Sequence, residues 1–488
     1  MQYKWTVFTV TSVGVIMSGI DSRIIIIGLP SVASALHADA EQAVWFTQAY
    51  VLGSTLAMLL IGRTADIIGR VKLYTAGFVV FTLGSLLVSL SQVPNEVVAF
   101  RALQGIGSAM LTVNSTALLV DAVEEKNLGM MLGLNTLAFR TGTLIALTLS
   151  GVLLSFYDWR FLFYINIPIG VFGTYWARRR LRETKPKGPR QRMDWVGFAT
   201  FATSIGALLL GMTYAAYGFA SESVTASIFA ISVVTFVAFV YQERRTPEPL
   251  LDLTLFRIRQ FSGGSAALLL NATAWGAVLV LMSLYFQLGL GWSPLQAGLA
   301  FLPFEFSFIA LSPLSGKLSD THGRNRFMML GLAVEGVAVF LFSTLTTASS
   351  FLYVALPLVL FGAGCGMFNS PVTSSTMSAV PPERRGIASA TTNVIWYVGY
   401  VLSLNLAILL MTTVLPFSEV SATIASIGST ATVNRALFVE GLSRAFLILS
   451  IIQFIGIIPS SLRGDWRTTS GAWQSSESRS STETPILE

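Results

Sequence analysis

The chain has one cysteine, Cys365, and two histidines, His37 and His322, in 488 residues. A lone thiol excludes an internal disulfide and a thiolate metal cluster, and two imidazoles are too few for a histidine-based metal site. Charge is scarce as well: Asp, Glu, Lys and Arg make up 11% of the chain, where a soluble domain carries about 25%. No nucleophile, base and orienting group fall at recognisable spacing, so the sequence predicts no enzyme and no cofactor. The glycine runs Gly105-x-Gly107 and Gly362-x-Gly364-Cys365-Gly366 are followed by no Gly-Lys-Ser/Thr, which excludes a phosphate loop and favours close helix packing. Any work the chain does must draw on an ion gradient or on the gradient of its own substrate.

What is abundant is apolar sequence: 53% hydrophobic residues and a mean hydropathy of +0.67 place the chain in lipid. Runs of about 20 apolar residues, the length a helix needs to cross the hydrocarbon core, can be placed fourteen times. Six lie between 5 and 178, two between 195 and 242, and six between 262 and 462. The first run, 5–29, is too long for a signal-peptide core and reads as the first span. Asn114-Ser-Thr and Asn271-Ala-Thr fit the glycosylation triplet but fall inside spans. The formal net charge of +6 marks no nucleic-acid partner, because the basic residues sort by membrane side. Lys4, Arg70, Lys72, the run Arg178–Arg182, Arg244, Arg245, Arg257, Arg259, Arg324, Arg326 and Arg463 fall on one side, which predicts cytoplasmic termini in the cell membrane.

The spacing Gly62-x-x-x-Asp66-x-x-Gly69-Arg70 recurs as Gly316-x-x-x-Asp320-x-x-Gly323-Arg324, 254 residues later. Each copy sits in a short loop between two spans, so the chain is a duplication, the common ground plan of secondary transporters. The offset exceeds what six helices need, and the extra pair of spans accounts for the excess. The predicted fold is therefore an all-α polytopic membrane protein with an N-terminal six-helix bundle over 1–179 and a C-terminal one over 261–463. Between them, 180–260 holds a basic linker, two inserted helices and a connecting segment, and 464–488 reads as a disordered cytoplasmic tail. The two loops read as a conformational latch: their glycines permit close crossing, Asp66 and Asp320 can accept from helix N-terminal amides, and Arg70 and Arg324 can bridge to neighbouring spans. A bland alternative is that they only set topology.

Several motifs carry a resemblance. Arg101-Ala-Leu-Gln104-Gly105-Ile-Gly107, Asp21-Ser-Arg-Ile with Leu29-Pro30, Trp159-Arg160 with Ile165-Asn166-Ile-Pro168-Ile-Gly170, and Tyr285-Phe286-Gln287 followed by Gly291-Trp-Ser293-Pro294 join the two loop motifs in the same order. In these the chain resembles the major facilitator superfamily, and within it the fourteen-span drug:proton antiporters. The resemblance implies a transporter with a central cavity, alternating access, a small-molecule substrate and coupling protons, functional as a monomer. Two departures bear on function. Where that family's fifth span reads Gly-x-x-x-Gly-Pro-x-x-Gly-Gly, this chain has Gly142-x-x-x-Ala146-Leu147-x-x-Ser150-Gly151, without the kinking proline. Arg23 stands where the family has Thr.

Each ionisable residue at membrane depth is a functional candidate by default. Asp21 and Arg101 lie at similar depth, so they pair either as a static fastening or as a proton switch; Glu305, just after Pro303, joins them as a proton-coupling candidate. Arg23 and Arg140 make the cavity of the first half basic, suited to carboxylate or phosphate, unless Arg23 snorkels outward and Arg140 balances an acid. Asn271, Trp275, Asn393, Trp396, Tyr397 and Tyr400 complete a candidate substrate pocket, with lipid-facing or packed aromatics as the alternative. Glu335 reads as packing more than as chemistry. The leading expectation is proton-coupled export of drugs or amphiphiles; the alternatives are uptake or exchange of an organic anion, and a lipid-handling or sensor protein without proton coupling.

Overall fold

A computed structural model describes residues 3–123, 125–183, 193–217, 221–247, 249–380, 385–412 and 435–463. Among the described residues all regular structure is helical. The first group is α1 (Tyr3–Ala35), α2 (Ala40–Ile68), α3 (Arg70–Leu90), α4 (Pro94–Ala122), α5 (Glu125–Phe156), α6 (Phe161–Tyr164) and α7 (Asn166–Arg180). Then come α8 (Trp195–Tyr217) and α9 (Glu222–Arg245). The last group is α10 (Arg259–Leu284), α11 (Pro294–Ala300), α12 (Leu302–His322), α13 (Arg324–Phe342), α14 (Phe351–Ser378), α15 (Arg385–Thr412), α16 (Arg435–Ile455) and α17 (Ile457–Ser461). The connecting segment holds a 3-10 turn, Leu253–Arg257, that brings the chain into α10. The predicted tail beyond Arg463 lies outside the described residues.

Thirteen helical segments among the described residues are long and apolar enough to cross a membrane. The expected sixth crossing falls short because it is split into α6 and α7 and ends in Arg178–Arg180. The split has a local cause: Pro168 has no N–H to give to the carbonyl of Tyr164, four residues before it, where α6 ends. The last crossing is divided in the same way, with α16 ending at Ile455, four residues before Pro459. Matching prolines thus interrupt matching crossings of the two halves.

Within each half the helices cross at small residues. A Cβ on Gly105 of α4 would collide with the Tyr50 carbonyl of α2, and one on Gly362 of α14 with the Phe304 carbonyl of α12. Two residues on, Gly107 lies against the Phe81 backbone of α3 and Gly364 against the Glu335 backbone of α13. The same pair of crossings is therefore built twice, which is what small-xxx-small packing achieves where lipid removes the hydrophobic drive between helices. Between the halves, α2 meets α15, α5 meets α11 and α12, and α1 meets α10 and α11. α8 packs on both α2 and α15, with Thr213 donating to Asn405 Oδ1 at 3.3 Å. α9 is tied to α8 by reciprocal bonds between Ser204 and Ser232, 3.1 and 2.9 Å.

The face opposite the arginine-rich one is sealed. Ser283 Oγ donates to the Ile26 carbonyl at 3.0 Å, and Gln287, in a π-helical turn that continues α10, donates to the Ile27 carbonyl at 3.4 Å. Gly298 of α11 sits on the Leu147 carbonyl of α5, and Gly151 lies 2.7 Å, measured from an added Cβ, from the Pro294 carbonyl. Gly105→Ala is expected to force α2 and α4 apart and cost about 1–3 kcal/mol, lowering the unfolding temperature of detergent-purified protein. Gly133→Ala, whose Cβ meets nothing within 4 Å, is expected to leave it unchanged or raise it slightly, because alanine is the better helix former.

Candidate functional site

Asp21 and Arg101 are both fully buried, and they pair at 2.6 Å between Arg101 Nη1 and Asp21 Oδ2. The other carboxylate oxygen accepts from Gln104 Nε2 at 2.7 Å and from Asn166 Nδ2 at 3.0 Å. Gln104 also donates to Ser85 Oγ at 2.7 Å and accepts from Arg101 at 2.8 Å, while Arg101 Nε donates to the Phe46 carbonyl at 3.1 Å. The pair therefore ties together α1, α2, α3, α4 and α7. The guanidinium lies 4.3 Å from the Tyr50 ring centre and 5.6 Å from that of Phe163. In a low-dielectric interior, such partnering is what makes a buried ion pair tolerable, and here it leaves Arg101 Nη2 alone of the pair's polar atoms without a hydrogen-bond partner. Gln104 follows Arg101 by one helical turn, and Asn166 belongs to the Ile-Asn-x-Pro signature. Both were visible as motif letters, but neutral amides at membrane depth carry no charge signal.

Beyond the Tyr50 ring lies a cavity of about 230 Å³ between the halves. Its wall includes Arg23, Arg140, Trp275, Asn393, Trp396, Tyr397 and Tyr400. Thr376, Met377 and Ser389, at the arginine-rich ends of α14 and α15, line it too, so the cavity reaches toward that face. Tyr50 and Ser108, hydroxyls bonded at 2.8 Å, stand on the wall between cavity and ion pair. Trp396 and Tyr400 stack with ring centres 5.3 Å apart, and Trp275 leans on both at 5.6 and 5.9 Å. The Arg23 guanidinium lies 4.2 Å over Trp275, and that of Arg140 lies 4.1 Å over Phe308. Glu305, 2% exposed, backs this wall and interacts electrostatically with both arginines.

Asn271 is not part of the cavity wall. Its amide donates to Glu335 Oε2 at 2.7 Å, and Gln453 Nε2 donates to the same oxygen at 2.8 Å, while Cys365 also touches the carboxyl. These groups come from α10, α13, α14 and α16, the counterparts of the helices that carry Asp21, Ser85, Gln104 and Asn166. Each half thus buries one acid in a cradle of amides, on the first helix of one half and the third helix of the other.

The two loop motifs have parallel geometry. Arg70 bonds Asp121 at 2.7 Å and the Ala117 carbonyl at 3.5 Å; Arg324 bonds Ser378 Oγ at 2.7 Å and the Ser374 carbonyl at 3.3 Å. Gly69 and Gly323 have φ of 111° and 101°, the positive region that glycine tolerates. Gly316 lies against Ser370 Oγ. Gly62 and the side chains of Asp66 and Asp320 lie outside the described residues. The N-terminal amides of α3 are capped from far along the chain: Glu183 accepts from Val71 N at 3.1 Å and Lys72 N at 3.0 Å.

Comparison with known proteins gives this arrangement relatives. The profile of the family described as Major Facilitator Superfamily matches residues 11–404. The riboflavin transporter RibZ of Clostridioides difficile is 27% identical over 386 residues, 79% of this chain and 83% of that protein. The multidrug resistance protein Stp of Mycobacterium tuberculosis is 30% identical over 383 residues, 78% of this chain and 70% of that protein. The crystal structure of an auto-inhibited POT family peptide transporter shares the fold, with a TM-score of 0.66 at 16% identity over 95% of this chain and 96% of that one.

Arg101→Gln strands the Asp21 carboxylate in an apolar setting and is expected to cost about 3–5 kcal/mol. Adding Asp21→Asn to it is expected to restore most of the loss, read as thermal unfolding of the purified protein.

Proposed function

The chain belongs to the major facilitator superfamily and is a membrane transporter, not an enzyme, and on that premise we propose that it exports amphiphilic compounds in exchange for protons by alternating access. The observation that carries the reading is the buried Asp21–Arg101 pair set one aromatic ring away from a cavity that reaches the arginine-rich face. That face is the proposed cytoplasmic one, in the cell membrane.

The proposed cycle runs on charge. A proton placed on Asp21 removes the anion that Arg101 faces and leaves the guanidinium with neutral acceptors, the Gln104 amide and the Phe46 carbonyl. Because the network spans five helices, this change reaches the packing of the first half as a whole. The Tyr50–Ser108 hydroxyl pair offers a proton path from the cavity. Glu305, held near Arg23 and Arg140, is the second acid proposed to respond when cargo or proton enters. Opening the opposite face requires loss of the Ser283–Ile26 and Gln287–Ile27 hydrogen bonds and separation of Gly298 from α5, with each half moving as a body. Arg70 and Arg324 each fasten the third helix of their half to the fourth, so the proposed latch acts by keeping each half rigid.

Uptake or exchange of an organic anion is the second reading, and Arg23 with Arg140 on the cavity wall favours it. Proteoliposomes with an imposed pH gradient test both readings. Gradient-driven movement of an amphiphilic dye is expected to fall about ten-fold or more in Asp21→Asn, while downhill exchange, which needs only the rocking motion, persists. Gradient-driven movement undiminished in Asp21→Asn would remove that residue from coupling.

A further inference from the structure

Resting on the reading of this cavity as the transport site, we infer that its cargo is an aromatic compound with an anionic group, which docks between Arg23 and Arg140. The argument is a charge count at membrane depth. Among the described residues, Arg23 and Arg140 are the charged side chains that line the cavity. Asp21 is paired with Arg101, both its oxygens accept from Arg101, Gln104 or Asn166, and it does not line the cavity. Among the described residues, Glu305 is the carboxylate that interacts with both arginines, and they are close enough to each other to repel. Two guanidiniums against one carboxylate leave a surplus positive charge.

Both guanidiniums that carry the surplus line the cavity. Arg23 is 3% exposed and its Nη1 has no hydrogen-bond partner, so a donor nine-tenths buried stands beside the cavity unused. Water in the cavity screens the charge only in part, and an incoming carboxylate, sulfonate or phosphate supplies the missing acceptor in the bidentate geometry a guanidinium favours. The faces of Trp275 and Phe308 hold the two guanidiniums flat, which limits their freedom before the ligand arrives. Next to them the stacked Trp396 and Tyr400 offer a flat apolar wall for an aromatic body. The order along the cavity, polar hydroxyls of Thr376 and Ser389 near the arginine-rich face and guanidiniums deeper in, draws the charged end inward first.

The test uses one tricyclic scaffold in three charge states: anthracene-9-carboxylate, 9-anthracenemethanol and 9-(aminomethyl)anthracene. Binding to the full chain in nanodiscs is read as quenching of tryptophan fluorescence. The carboxylate is expected to bind about ten-fold more tightly than the alcohol and the amine to bind least. Arg23→Gln and Arg140→Gln are each expected to erase the carboxylate's advantage without weakening the alcohol, and Glu305→Gln to strengthen the carboxylate. Arg23→Lys, which keeps the charge, is expected to retain part of the preference and serves where Arg23→Gln does not fold. Equal binding of the three compounds, no binding of the carboxylate, tighter binding of the amine, or a carboxylate preference untouched by Arg23→Gln and Arg140→Gln would each overturn the inference. Transport of the alcohol in proteoliposomes separates the two levels. If it moves without any carboxylate preference, the charge assignment fails and the transport site stands. If the carboxylate binds as expected but none of the three moves, the transport reading fails and the anion site stands.

Discussion

An ionised group in hydrocarbon has to be paired or wetted, and the arrangement of this molecule follows from how it meets that requirement. Asp21 and Arg101 meet it by pairing, with the amides of Gln104, on the same helix as Arg101, and of Asn166, on α7, donating to the other carboxylate oxygen. Glu335 has neither: no cation lies among its described partners, and it sits in a cradle of the Asn271 and Gln453 amides. Arg23 and Arg140 meet it by facing a cavity, and Glu305 by lying within electrostatic reach of both behind the wall. Dry pairs fasten helices within a half, and the less balanced group sits where the halves part, which is where a proposed cargo has room to complete the count.

The contrast between joints within and between the halves makes alternation mechanically reasonable. Inside each half, backbone meets backbone at Gly105, Gly107, Gly362 and Gly364, contacts that a rigid body keeps. Across the sealed face, among the described residues, the polar contacts are a serine and a glutamine on two carbonyls of α1, weak enough to exchange for water. α8 bridges the seam by touching α2 and α15, so it lies alongside the joint between the halves, and neither inserted helix lines the cavity. Likeness to relatives named for riboflavin and for multidrug resistance places the chain in a family of transporters, and the departure at Leu147 falls on the seam itself, under Gly298.

Much of this was readable from residues alone, and the gaps have physical reasons. Apolar length announced the spans, and it is weakest at the sixth, where Pro168 breaks the helix and three arginines dilute its end. Asp21 and Arg101 could be matched by depth because charges in spans are rare. Gln104, Asn166 and Gln453 could not, because a neutral amide in a span looks like any polar packing residue until its partner is known. Asn271 was grouped with the cavity aromatics on its helix, yet the face it occupies turns toward Glu335. The cap that Glu183 places on α3 joins residues more than a hundred positions apart, a contact that no local pattern encodes.

The most direct measurement is the distance between spin labels across each face, with Gln92 and Ala348 labelled on the sealed side and Lys72 and Thr321 on the arginine-rich side. The native Cys365 is buried, so added cysteines label selectively. The account predicts two populations in which one pair lengthens as the other shortens, redistributed by acidification in the wild type and no longer redistributed in Asp21→Asn. A single fixed distance across both faces, unmoved by pH and by that substitution, would contradict it.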